Sequence, residues 1–347
     1  MSASVELSQK GYEIALWNRS EPALAPFRTA KGIQYEGVLG DGFTLPAALC
    51  TDISQVLQGA EVILVCLPTL ALAGIAQLLG EQEINIPVVL NPGHTGGALE
   101  FYHIFKQQGR TPPPIAEFST LSYVARKSAP NTINITGAAN HLWVAKMPGG
   151  EKALSAAQEL YPVAENIGDV LGTSLTNVNM VLHPPGAVLG ASWAEHTGGD
   201  FTFYVEGLTD GVGRVLEQLD QERIAVGAAF GHQLPDLFAE MRMIGTIEKE
   251  TPKSEGLTRA IRSGKANKRI KAPDTLEHRY YQEDLWFGLR PFLAFASLAK
   301  VEVPIARSLM HLGQGLLGNF DENRGRTAQK MGIAGMTGPE LMDYIKG

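Results

Sequence analysis

Residues Met1–Ser20, MSASVELSQKGYEIALWNRS, decide the fold. In Ser2–Gln9, Val5 and Leu7 stand among small residues that pack on one side of a short helix. Lys10-Gly11 closes it, a basic last turn followed by a helix-stopping glycine. Tyr12–Trp17 is a compact strand candidate, and Asn18-Arg19-Ser20 is its polar end. Helix, glycine, strand and polar end make up the second half of a βαβ dinucleotide-binding unit. The strand and G-x-G-x-x-G turn of the first half would lie ahead of Met1, so the N–H groups that cradle a pyrophosphate are unaccounted for. A shortened chain and a domain that has lost cofactor binding are the two explanations open from the residues.

Further along, Ile33–Glu36 and Phe43–Pro46 read as a small β-hairpin insertion. Glu61–Leu67, EVILVCL, is a near-continuous apolar run, as expected of a strand buried on both faces. Val88–Leu90 is the next strand and ends in Asn91-Pro92-Gly93-His94-Thr95-Gly96-Gly97. Ligands of open parallel sheets sit beyond the carboxyl ends of the strands. Leu67, Pro68, Asn91 and Gly93 are therefore candidate cofactor contacts, together with Asn18, Arg19 and Ser20. NAD sites usually place an acid after the second strand. Here Arg19 with a hydroxyl neighbour suits a 2′-phosphate, so NADP(H) is expected over NAD(H), a plain surface arginine being the alternative. Glu117 ends a short strand within Ile115–Arg126; it either holds the cationic group of an amino-acid substrate or pairs with Arg126.

From about Glu151 the periodicity turns helical, with Val205, Leu208, Val212, Val215, Leu216 and Leu219 marking a long helix over Phe203–Gly227. The expected architecture is an α/β Rossmann-type domain over residues 1–150, a doubly wound parallel sheet without its first strand. A mainly α-helical domain over residues 151–347 follows. In Asn177–Gly190, NVNMVLHPPGAVLG, His183 precedes Pro184-Pro185-Gly186, which argues against helix through the motif. A histidine on a rigid bend suits general acid–base work, against the alternative of a hydrogen-bonded core histidine. His278–Asp284, HRYYQED, supplies complementary groups: Asp284 to hold the other ring nitrogen and Arg279 to grip a carboxylate. The remaining histidines are scattered, without H-x-x-x-H or C-x-x-C spacing, so no metal is expected.

Composition bounds the partners. The chain is 44% hydrophobic and 19% charged, with a net charge of −7, so no field favours nucleic acid or an anionic membrane. The basic stretch Arg259–Lys271 lacks interleaved aromatics and reads as a solvated segment. Two cysteines, Cys50 and Cys66, make no disulfide framework, and no signal peptide or membrane-length apolar run occurs, so a cytoplasmic setting is expected.

Four stretches taken together, NVNMVLHPPGAVLG, HRYYQED, LNPGHTGGALEF and AEFSTLSYVAR, resemble the opine dehydrogenases of the octopine/nopaline type. The resemblance covers nearly the whole chain and is specific in the His-Pro and R-Y-x-x-E-D motifs. It implies a Rossmann domain, a helical C-terminal domain and NAD(P)H-dependent condensation of an amino acid with a 2-oxo acid. It also implies roles: His183 as acid–base, Asp284 as its partner, Arg279 for the 2-oxo acid carboxylate and Glu117 for the amino acid. Small molecules are then the partners, and a homodimer fits. The absent glycine turn departs from the family pattern. A non-catalytic metabolite binder and a 2-oxo acid or alcohol reductase of the same architecture are the alternatives.

Overall fold

The computed structural model describes residues 1–347. Helix α1 (Ser2–Gln9) leads through Gly11, at φ +91°, to β1 (Ala15–Trp17) and α2 (Glu21–Ala30). Then come β2 (Ile33–Gly37), β3 (Gly42–Thr44), β4 (Ala48–Cys50), α3 (Ile53–Leu57), β5 (Ile63–Val65), α4 (Leu72–Gly80) and β6 (Val88–Leu90). Helix α5 (Gly97–Gln107) and strands β7 (Ile115–Phe118), β8 (Tyr123–Ala129), β9 (Thr132–Ala138) and β10 (Leu142–Lys146) follow, with α6 (Glu151–Leu160) and β11 (Ala164–Asn166) last.

The strands read at Glu61–Leu67, Val88–Leu90 and from Ile115 become β5, β6 and β7 of a five-stranded sheet in the order β11-β10-β7-β6-β5, whose other two strands the sequence reading did not include. It is parallel through β5, β6 and β7, with Ile63 opposite Val88 and Val88 opposite Ile115. Beyond β7 it is mixed, because β10 runs antiparallel, and β11 extends it past the division expected after Gly150. Strands β1 and β4 form a separate parallel pair. The β2–β3 hairpin is present as expected, but β2 also pairs in parallel with β9. Together with β8 these strands make a second, four-stranded sheet that the sequence did not announce. Its core is small: Val5 of α1, Leu24 and Phe27 of α2, and Ile33, Ile133 and Ile135. No residue of β8 is buried, and only Tyr123 and Ala125 are half-buried, so its apolar pattern is too weak to read alone.

The remaining helices are α7 (Val170–Leu175), α8 (Val178–Leu189), α9 (Ala191–Thr197), α10 (Asp210–Ala229), α11 (Leu237–Ile244) and α12 (Leu257–Ser263). After these come α13 (Arg279–Gln282), a π-helical turn at Leu285–Leu289, α14 (Arg290–Ala299), α15 (Pro304–Leu316) and α16 (Gly338–Lys346). Polar side chains cap several of them: Asp169, Asn177, Thr209, Asp236 and Thr337 accept from first-turn N–H groups. Thr209 explains why the long helix starts at Asp210 and not at Phe203. No helix is long and apolar enough to cross a membrane. The largest apolar cluster runs without a break from Leu72, Leu90 and Phe101 beside the sheet to Leu216, Trp286 and Phe295 among the helices.

His183 lies within α8, and Pro184 and Pro185 are helical with it. This corrects the expectation of a bend. Each proline removes one i→i−4 bond, at about 3 kcal/mol in an isolated helix. Here every residue from Met180 to Val188 is buried, so tertiary packing outweighs local propensity.

Among the buried groups, Glu240 accepts from the Trp143 indole at 3.1 Å through one oxygen, and its other oxygen has no partner. Burial pushes its pKa up to about 7. A carboxyl whose pKa is raised on folding contributes stability that is full below its unfolded value and lost as pH rises through the folded one. Stability should therefore fall between about pH 4.5 and 7. Glu240→Gln should flatten that fall by on the order of 2–3 kcal/mol. Urea midpoints taken across the window would show it.

Candidate functional site

The junction of α7 and α8 is tied to the loop between β6 and α5. The Asn177 amide donates to Thr95 Oγ1 at 3.1 Å, and Ser174 Oγ accepts from the Gly96 N–H at 2.9 Å. Met180 Sδ lies 3.8 Å from Thr95 Oγ1, which anchors the first turn of α8 on the same loop. His183 follows about 4.5 Å further along the axis, at 1.5 Å per residue.

His183 Nδ1 lies 2.7 Å from Asp284 Oδ2, both side chains being about 5% exposed. The carboxylate draws the proton of the neutral imidazole to Nδ1 and leaves Nε2 as an acceptor. The Tyr204 hydroxyl lies 2.9 Å from Nε2 and donates to it. The Tyr280 ring stacks on the imidazole, with centroids 3.8 Å apart and planes at 23°. Asp284 stands directly before the π-helical turn, and Tyr204 lies in the turns ahead of α10. Arg279, 41% exposed, opens α13; its nearest carboxylate is Glu283, at 3.8 Å. Its charge acts on Tyr204 and Tyr280, and also on His94 in the β6–α5 loop.

His94 is buried in left-handed backbone at φ +61°. Burial, and then the charges of Arg326 and Arg279, push its pKa down to about 3, so its imidazole is neutral. Arg326 is fully buried and joins several parts of the molecule. It donates to Glu100 Oε2 at 2.7 Å, to the Thr95 carbonyl at 2.8 Å and to Thr69 Oγ1 at 3.1 Å. Its guanidinium also lies over the Phe287 ring, and the backbone N–H of Arg326 donates to the Trp286 carbonyl. One side chain thus sets the loops after β5 and β6 against the turn that follows Asp284. The sequence carried no signal for Arg326, Tyr204 or His94, because nothing local marks a buried partner far along the chain.

The cofactor candidates follow the C-terminal ends of β1, β5 and β6. Leu67 and Pro68 follow β5 beside the exposed Cys66, and the first turn of α1 begins close to that thiol. Asn91 is buried and turned inward, accepting from Ser122 Oγ at 2.8 Å and donating to Tyr161 at 3.4 Å. A Cβ on Gly93 would meet Glu117 Oε2 at 1.8 Å, so that position needs glycine. Asn18 accepts from the Ser20 N–H, Arg19 is exposed without an ionic partner, and Ser20 stands at the start of α2. Asn91 and Gly93 are taken up by the scaffold, so a dinucleotide here would have Arg19 and Pro68 as its exposed contacts. The strand ends after β1, β5 and β6 would flank its two halves, and the α1 N-terminus would face the phosphates.

Glu117 does not fit the substrate role read from the sequence. It is fully buried on β7; Oε2 accepts from the Ala98 N–H at 2.9 Å and Oε1 lies 2.6 Å from Thr173 Oγ1. Arg126 is not its partner either, donating instead to the Ala125 carbonyl. Burial raises the Glu117 pKa to about 7, against the pull of the hydrogen bonds it accepts from Thr173 and the Ala98 N–H. Glu117→Gln should therefore leave the KM for the amino acid within about 2-fold, where loss of a substrate-binding carboxylate would raise it. Steady-state kinetics on the variant would decide between the two.

Residues 166–317 match the family described as NAD/NADP octopine/nopaline dehydrogenase, alpha-helical domain. The opine dehydrogenase of Arthrobacter sp. (strain 1C) is 30% identical over 346 residues, covering 98% of this chain and 94% of that protein. Among solved structures, octopine dehydrogenase with NADH and L-arginine superposes with a TM-score of 0.78 at 19% identity, covering 99% of this chain and 95% of that one. Yersinopine dehydrogenase with NADP+ does so at 0.71 and 14% identity, covering 99% and 94%. The expected preference for NADP(H), drawn from Arg19, is corrected by these structures. The more similar octopine dehydrogenase structures hold NADH, and NADP+ appears in the weaker match. An exposed arginine after β1 is not by itself a 2′-phosphate site.

Proposed function

The chain belongs to the opine dehydrogenase family, and we propose that in this family's reductive condensation of an amino acid with a 2-oxo acid His183 is the acid–base residue. The observation that carries this role is the buried 2.7 Å contact between His183 Nδ1 and Asp284. Asp284 orients the ring and stabilises it when protonated. Arg279, half-exposed and close enough for its charge to act on Tyr280 and His94, would hold the 2-oxo acid carboxylate. The loop from Asn91 to Gly97, braced by Arg326, and the turn at Leu67-Pro68 form the floor on which the nicotinamide end would lie. The nicotinamide cofactor supplies the hydride equivalent that reduces the C=N bond. The protein holds the two substrates against that floor, excludes water through its packed helices, and handles the proton at His183.

In this reading the dinucleotide-binding domain runs through β11 to Asn166, and the helical domain follows from Asp169, the cap of α7. A cytoplasmic setting agrees with two free cysteines. A homodimer would have Leu312, Leu316 and Phe320, exposed on and after α15, to cover; light scattering on the purified chain would give its mass.

The reaction is tested by following NADH loss with pyruvate and each of the common amino acids, with mass spectrometry of the product. Consumption of NADH should need both substrates and yield a secondary amine. Loss of NADH with pyruvate alone would make the enzyme a 2-oxo acid reductase instead.

A further inference from the structure

The His183 imidazole has no free nitrogen. Nδ1 is held by Asp284 at 2.7 Å and Nε2 by the Tyr204 hydroxyl at 2.9 Å. Tyr280 covers one face of the ring, with centroids 3.8 Å apart, and the Phe203 ring stands steeply inclined with its centroid 6.2 Å away. A proton leaving Nε2 therefore meets the Tyr204 oxygen before anything else. We propose that Tyr204 is a catalytic residue, passing the proton between His183 and the substrate nitrogen or oxygen. This inference rests on the reductive condensation assigned above.

The chemistry balances with Tyr204 neutral throughout. The amino acid arrives as an ammonium. Its proton moves to the Tyr204 oxygen while the Tyr204 proton moves to His183 Nε2. The neutral amine then forms the N–C bond to the keto carbon, and one N–H proton shifts onto the former carbonyl oxygen. The stored proton returns: His183 Nε2–H refills the Tyr204 oxygen as the Tyr204 proton joins the departing hydroxyl. The C–O bond breaks, water leaves, and a protonated C=N bond remains for reduction. Burial of Tyr204 raises its pKa well above the ordinary phenol value, which suits a relay that receives and gives a proton together and is never a phenolate.

Tyr204→Phe keeps the ring and removes only the hydroxyl. With the full-length enzyme, NADH, pyruvate and the amino acid it uses best, the single-turnover rate should fall by about 10²-fold or more. The KM for NADH should stay within about 2-fold. In mixtures of light and heavy water, the unsubstituted enzyme should give a curved dependence of rate on deuterium fraction, from two protons in flight. Tyr204→Phe should give a straight one. A rate within about 3-fold of the parent, or a straight dependence in both, would overturn the relay. If the parent itself oxidises no NADH with any amino acid, the family reaction has failed, which is a separate outcome. The 15N resonance of His183 Nε2 then decides for Tyr204: it shifts in Tyr204→Phe if the hydroxyl donates to it, and an unmoved resonance overturns the proposal.

Discussion

His183→Ala is expected to lower kcat by about 10²–10⁴-fold while the KM values move little, the signature of a group that acts on protons in the transition state. Alanine empties a buried site between Asp284, Tyr204 and Tyr280, so circular dichroism and a urea midpoint must accompany the kinetics. His183→Gln is the better-filled control and should show the same loss of turnover. Asp284→Asn should also depress kcat without abolishing binding. An amide can donate to Nδ1, which would move the imidazole proton to Nε2 and set two donors, His183 and Tyr204, against each other. Turnover within about 3-fold of the parent in His183→Gln would remove the histidine from the chemistry.

Arg326→Met is expected to cost about 3–5 kcal/mol of stability, because it leaves Glu100 buried and uncompensated. The loss reaches further than one ion pair. The Thr95 carbonyl and Thr69 hydroxyl lose their donor, and methionine cannot replace the cation over Phe287. Urea denaturation would give the free energy. Arg326→Met combined with Glu100→Leu should recover part of it, since removing both charges relieves the stranded carboxylate. Where the single variant remains folded, its KM for NADH should rise, because the loops after β5 and β6 are no longer held at a set distance. An Arg326→Met chain as stable as the parent would mean that the cluster is held by packing alone.

Much of the α/β order was legible because its signals are local. Ser2–Gln9 followed by Lys10-Gly11 is a helix and its stop, and Val88–Leu90 is a buried strand, whereas the run Glu61–Leu67 holds only the short strand Ile63–Val65, half-buried at the sheet edge and not covered on both faces. The pairing of β2 with β9 was not legible, since nothing in either strand names a partner so distant along the chain. The helix through Pro184-Pro185 was misread for the opposite reason: a strong local signal gave way to burial on every side. At the site, the sequence placed His183 and Asp284 in motifs, and the structure brings them within 2.7 Å. Tyr204, Tyr280 and Arg326 enter only through the fold, as side chains that close the space around those motifs. Glu117 was chosen as a carboxylate at a strand end, and its neighbours show why that is insufficient: an acid there can serve the scaffold.

The position of Arg326 also orders events in time. The sheet and the loops after β5 and β6 emerge from the ribosome long before residue 326, and N-terminal parts of a chain fold first during synthesis. Until the guanidinium arrives, Glu100 lacks its counter-charge and the turns at Thr69 and Thr95 lack their tether. The nascent N-terminal half thus has a sheet but no settled cradle. These tethers are acquired only near the end of translation, when residue 326 has emerged.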